Sequence, residues 1–285
     1  MRSIRRNSLH TIVRISLLFL VCQTSVLMLL AQPQPQVTVA AAADLSDTLK
    51  EIAVGFQKQT GARLNVIVGS SGNLYTQIQN GAPFDVFMSA DAGYPRKLIA
   101  EGHADEKSFF VYGVGTLVLM ARANSPVELD DLVKAVAGNS VRKVAIANPQ
   151  HAPYGRAAVE ALQRLGIYDR VAPKLVIGEN VSQAAQFVES GNAQLGFVAL
   201  ARVLAPAVRG KVKYVDVPAN AYTVIEQGAV VLDHGRNNFA AHAFMRYLKT
   251  PEAVAVLQKY GFASLNSNDA NPAKKGTGQT GQKSQ

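Results

Sequence analysis

Residues 37–79 read VTVAAAADLSDTLKEIAVGFQKQTGARLNVIVGSSGNLYTQIQ, and their pattern decides the fold class. Val37 to Ala42 is an apolar run of strand length. Leu45, Leu49, Ile52 and Phe56 then recur at the helical interval, and the run ends near Gly61. Leu64 to Val68 is a second strand, "GSSGN" is a turn, and Leu74 and Ile78 mark one face of the next helix. Strand, helix, strand, helix in so short a stretch predicts an α/β architecture.

The alternation continues toward the C-terminus. "DVFMSA" is a strand, Val111 to Met120 is a long apolar run, and "VELDDLVKAVAG" reads as helical. "KVAIANP" and "KLVIG" are strands, and Ala158, Leu162 and Leu165 give the helix between them its stripe. "SQAAQFVESGN" is a helix, followed by the strands "LGFVAL", "VKYVDV" and "QGAVVL". Two helices, "FAAHAFMRYLK" and "PEAVAVLQKYG", close the pattern, the last with Thr250 as cap, Pro251 in its first turn and Gly261 as its stop. Parallel sheets covered by helices on both faces are expected, with any ligand beyond the carboxyl ends of the strands. The loops in that position are "AAAD", "GSSGN", "ANPQHAPYG" and "GENVS".

Working toward the N-terminus, residues 32–36 are a short polar linker, QPQPQ. Before it, Arg2, Arg5, Arg6 and Arg14 precede an apolar run from Ile15 to Leu30, with the small Ala31 at its end. Residues 1–31 are therefore expected to be a secretory signal peptide, and the chain to be periplasmic. An uncleaved membrane anchor is the alternative, though Gln23, Thr24 and Ser25 interrupt the run. A lipid-anchor site would have a small residue before Cys22, where Val21 stands. Residues 264–285, rich in Asn, Gly, Lys and Gln, read as a disordered tail.

Removing residues 1–31 lowers the formal charge from +9 to +5, with 25 basic against 20 acidic residues. Lys274, Lys275 and Lys283 sit in the tail, so the folded part is nearer neutral. The charge balance does not argue for nucleic acid. Without Cys22 no cysteine remains, which suits an oxidising compartment.

Several catalytic and cofactor motifs fail on inspection. The tail's "GTGQTGQKS" places Gln282 between Gly281 and Lys283, so it is no phosphate loop. His103, His151, His234 and His242 show no metal-ligand spacing. "GSSG" does not match the nucleophile elbow "GxSxG". What remains is a set of loops rich in hydroxyls and helix-starting N–H groups. Ser and Asn cap helices everywhere, so any one loop could be ordinary capping. Several together, all following strands, favour an oxyanion held by neutral donors.

At this level the chain resembles the periplasmic molybdate-binding proteins of bacterial uptake transporters. The resemblance rests on "VTVAAAADLSDTLKEIAVGFQKQTG", "GSSGNLYTQIQNGAPFDVFMSAD", "IANPQHAPYGRAAVEAL" and "FMRYLKTPEAVAVLQKYGF", and it spans residues 37–263. It implies a type II binding-protein fold of two lobes, each a mixed, mostly parallel sheet with flanking helices, and the ligand in the cleft. Lobe 1 would hold residues 37–115 and 228–263, and lobe 2 residues 116–227. The implied ligand contacts are Ala43 and Asp44 in the first loop, Ser71 after the second strand, Tyr154 in "APYG" and Val181 in "ENVS". Some family members carry a tyrosine where Ala199 stands here, so one hydroxyl would come from Tyr154 instead. The resemblance implies molybdate or tungstate as ligand, molybdenum held only as its oxyanion, and no further cofactor. It also implies a membrane permease of an ABC transporter as partner, a monomer, and no enzymatic activity.

Two other classes stay open. A same-fold protein for sulfate, thiosulfate or a small organic acid is one; an organic acid favours an arginine fork, and only Arg156 is at hand. An enzyme on a two-lobed fold is the other, with only Asp44 and His151 as candidate acid or base. Small side chains at Ala42 and Ala43 would let the backbone approach an anion. Asp44 is harder to place, because an ionised carboxylate cannot donate. It is expected either to cap the following helix, accepting from the N–H of Ser46 or Asp47, or to be protonated and donate.

Overall fold

The computed structural model of the chain describes residues 34–264. The expected signal segment, the first two residues of the linker and nearly all of the tail lie outside the described residues. The first strand, β1, is Gln36–Ala42, and it leads through a 3-10 turn at Ala43–Leu45 into helix α1, Ser46–Thr60. Thr48, Leu49, Ile52 and Phe56 are the buried face of α1, at the spacing a helix stripe requires. Strand β2 is Arg63–Gly69, helix α2 Ser71–Gln79, strand β3 Val86–Ser89 and helix α3 Gly93–Ala100.

The long apolar run is two strands. β4, Phe110–Gly115, and β5, Leu117–Arg122, are separated by Thr116 alone and belong to different sheets. A shorter helix than expected follows: α4 is Leu132–Ala137, because Asp131 takes the capping position and its carboxylate accepts from Lys134 N–H at 3.0 Å. Next come β6 Val144–Ala147, α5 Pro153–Arg164, α6 Tyr168–Val171, β7 Leu175–Gly178, α7 Val181–Glu189 and β8 Leu195–Ala199. The remaining elements are α8 Leu200–Leu204, β9 Val212–Asp216, β10 Ile225–Val231, α9 Phe239–Tyr247 and α10 Pro251–Lys259. Thr250 caps α10 as expected, accepting from Ala253 N–H at 3.4 Å, with Pro251 in the first turn.

The first sheet has the order β2-β1-β3-β10-β4 and the second β7-β6-β8-β5-β9. Neither is purely parallel. β10 runs against β3 and β4, and β5 runs against β8 and β9. These reversed strands are the ones that enter each sheet directly from the other, without a helical crossover. A parallel neighbour would need such a crossover. The chain thus passes between the sheets twice, at β4–β5 and between β9 and β10.

Both faces of the first sheet are buried. Val37, Val39 and Ala41 face a core with α1, α9 and α10, while Ala40, Phe87 and Val230 face one with Leu74 and Leu98. Phe56 meets Phe244 edge-on at 5.3 Å and Tyr247 at 5.7 Å, so the last helices complete the layer begun by α1. Each such fully buried aromatic contributes about 1.5–3 kcal/mol of transfer free energy.

Candidate functional site

β1, β2 and β3 of the first sheet and β6 and β7 of the second all end at one place. The turn after β1 brings Ala42, Ala43 and Asp44, and β2 brings Gly69, Ser70 and Ser71. Ala90 follows β3, Pro153 and Tyr154 open α5, and Asn180 and Val181 open α7. Together these residues line one small recess between the two sheets. It therefore gathers all five residues suggested by resemblance: Ala43, Asp44, Ser71, Tyr154 and Val181. Ala199 lies buried at the end of β8 and does not line it.

The donors in this recess are set by their own partners. Ser71 is fully buried, and its Oγ accepts the Ala90 N–H at 3.0 Å. A hydroxyl has one proton and can accept while donating, so that of Ser71 is left to donate elsewhere. Ser71 and Val181 begin their helices, where first-turn N–H groups lack intrahelical partners and the dipole is positive. Tyr154 lies in the first turn of α5 and is buried, with its hydroxyl oxygen accepting from Gln227 Nε2 at 3.2 Å.

Asp44 does not cap the helix after it. No side-chain bond caps the 3-10 turn or α1, and the carboxylate is 4% exposed. Its Oδ2 accepts from Gln227 Nε2 at 2.6 Å, while Oδ1 is buried without a hydrogen-bond partner. The capping expectation gives way because a tertiary donor from β10 outcompetes the local N–H groups for Oδ2. Burial pushes the Asp44 pKa up to about 6, against the hydrogen bonds from Gln227 and Tyr154 that favour the ionised form. Burial first, and then the Asp44 charge, holds the phenols of Tyr112 and Tyr154 well above the usual tyrosine range.

Contacts across the mouth hold the two sheets together. Gly72 N–H donates to the His151 carbonyl at 2.8 Å, and Ser70 Oγ shares a hydrogen bond with His151 Nδ1 at 2.7 Å. A Cβ on Gly72 would lie 2.7 Å from that carbonyl oxygen, so this approach requires glycine. Asn73 donates to Glu179, and Ser182 Oγ donates to the Ala43 carbonyl at 2.8 Å. Arg202 joins Asp47 at 2.7 Å and Glu189 at 2.8 Å, and Arg156 pairs with Asp91.

A larger groove of about 490 Å³ opens beside the recess. Three carboxylates, Asp91, Glu160 and Glu226, line it against two arginines, of which Arg156 is already paired and Arg96 lies over the Phe109 ring, so it is a poor seat for an anion. Among the described residues no group of three or more His, Cys, Asp or Glu could hold a metal ion. None of their helices is long and apolar enough to cross a membrane.

Sequence reasoning missed Gln227 and Tyr112, which sit beneath the recess. Tyr112 O–H donates to Gln227 Oε1 at 2.7 Å. Gln227 follows the exposed Glu226 at the head of its strand and Tyr112 lies within a long apolar run, so nothing local marked either as a buried polar group.

Two helix-flanked sheets, joined by two strand crossings and meeting at a recess of neutral donors, define a two-lobed solute-binding protein. The chain belongs to the family of bacterial extracellular solute-binding proteins, whose model matches residues 37–263. It is 44% identical over 229 residues to the molybdate-binding protein ModA of Rhodobacter capsulatus, covering 80% of this chain and 88% of that one. The solved periplasmic molybdate-binding protein of Azotobacter vinelandii superposes with a TM-score of 0.76 at 40% identity, covering 80% of this chain and 99% of that one. The sulfate-binding protein SubI of Mycobacterium tuberculosis shares the fold alone, with a TM-score of 0.69 at 17% identity over 81% of this chain and 88% of that one.

Proposed function

We propose that this protein binds molybdate outside the cytoplasm and delivers it to the permease of an ABC transporter. It is not an enzyme. The observation that carries the reading is the recess itself. The Ser71 hydroxyl accepts one N–H, leaving its proton free to donate, the Tyr154 hydroxyl lies at the edge of the recess, and helix starts at Ser71 and Val181 flank them. The 44% identity to a molybdate-binding relative supports the choice of anion. Ala43, Asp44, Ser71, Tyr154 and Val181 form the binding set, with no arginine or lysine among them.

Neutral donors select by size. A smaller anion leaves a buried donor unpaired, at about 1–3 kcal/mol each. Tungstate matches molybdate and binds comparably, while sulfate binds worse. The lobes are joined at Thr116 and again ahead of β10, and they close as a hinge about these two crossings. The protein works as a monomer, needs no cofactor and is exported by its N-terminal segment. Calorimetry with molybdate, tungstate, sulfate and phosphate tests the reading. Sulfate or phosphate binding as tightly as molybdate would sink it.

A further inference from the structure

Gln227 is fully buried in β10, at the point where the pairing with β4 shifts register. Such bulges re-aim a side chain. Here the amide is turned into a polar cluster that no local pattern requires. Its Oε1 accepts from Tyr112 at 2.7 Å, and its Nε2 reaches Asp44 Oδ2 at 2.6 Å and the Tyr154 hydroxyl at 3.2 Å. An amide nitrogen has two hydrogens, so these bonds use both.

The direction of the amide is fixed by its surroundings. Reversed, Oε1 would abut the Asp44 carboxylate, acceptor against acceptor, and the amide nitrogen would face the Tyr112 hydroxyl. Space is also kept clear for this arrangement. A Cβ on Gly115 would fall 2.2 Å from the Tyr154 hydroxyl and 2.6 Å from Gln227 Nε2. The titratable groups facing the amide are Asp44 from the first loop, Tyr112 from β4 and Tyr154 from α5. The acids on the elements packed behind the first loop, Asp47 and Glu189, are each paired with Arg202.

We propose that Gln227 is a positioning residue for the oxyanion site. By donating to the Tyr154 oxygen it fixes where that hydroxyl sits at the edge of the recess, and by donating to Asp44 it keeps the carboxylate drawn toward β10. The proposal rests on the reading of the recess as an oxyanion site. Gln227 touches no ligand itself. It joins a strand at the crossing to one binding residue from each side of the cleft, so both are set correctly in the same arrangement.

The test is a double-mutant cycle on the full chain, with molybdate as the calorimetric probe. Gln227→Met and Tyr154→Phe are each expected to weaken binding roughly tenfold, about 1.4 kcal/mol. The double variant should lose clearly less than the product of the two, because part of the Gln227 effect passes through Tyr154. Gln227→Glu adds a readout that simple packing would not move. It retains the acceptor for Tyr112 but can donate only when protonated, so its binding should recover as the pH falls, while Gln227→Met shows no such recovery. If Gln227→Met does not fold, Tyr112→Phe replaces it, since that change frees the amide without touching the recess. Wild-type protein that binds molybdate while the two losses multiply, or a Gln227→Glu variant that binds like wild type at every pH, overturns the proposal alone. Wild-type protein that does not bind molybdate overturns the oxyanion reading itself.

Discussion

The Ser71 hydroxyl accepts the Ala90 N–H at 3.0 Å, across the gap between the ends of β2 and β3. One bond therefore aligns two of the loops that line the recess and leaves the hydroxyl proton to donate. Ser71→Ala is expected to weaken molybdate by about 1–3 kcal/mol, the cost of a buried donor removed. Calorimetry measures this, and a melting curve without anion separates the Ala90 loss from the ligand loss. Unchanged affinity would remove Ser71 from the binding set.

Asp44→Asn should bind molybdate as well as wild type or better. The Asn carbonyl can still accept from Gln227, while its amide puts donors where the unpartnered Oδ1 now lies. A loss of tenfold or more would show that the carboxyl itself is required.

The same carboxyl predicts a pH signature. Folded Asp44 holds its proton up to about 6, and its ordinary value is 3.8. Between these values the folded state binds more protons than the unfolded one, so this contribution to stability falls as pH rises and is flat above the window. Its full size is about 3 kcal/mol. Comparing melts of wild type and Asp44→Asn from pH 4 to 7 isolates it, since Asp47 and Glu160 have lowered values and slope the other way. A constant difference across that range would refute it.

Gly72→Ala should impair closure and leave each sheet intact. The added methyl would meet the His151 carbonyl oxygen at 2.7 Å and its Cα at 2.9 Å. Molybdate affinity is expected to fall at least tenfold, the equivalent of about 1.4 kcal/mol. Small-angle scattering with saturating molybdate should give a larger radius than wild type. Equal radii and equal affinity would remove this contact from closure.

The four loops were legible because each is a strand end followed by small or hydroxyl residues and a helix start, and that local grammar survives folding. Their convergence was not written locally. It depends on Thr116 dividing one apolar run between two sheets, and the only local hint of that break is the pair Gly113 and Gly115, which does not say that the strands part company. The direction of Asp44 was hidden for a related reason. An aspartate at a helix start serves equally as cap or as buried acceptor, and the deciding donor, Gln227, lies 183 positions away. The short helix at Leu132–Ala137 shows the opposite error, with propensity over-read through Asp130 and Asp131, residues that favour caps over helix interiors.

The position of β10 has a consequence for how the chain is made. It lies between β3 and β4 in the first sheet, yet follows every strand of the second in sequence. As the chain emerges from its N-terminus, the second sheet can assemble before the first has its fifth strand or its last two helices. The first sheet must wait for contacts of large sequence separation, which form slowly. The half of the molecule that is made first is therefore the half that finishes last.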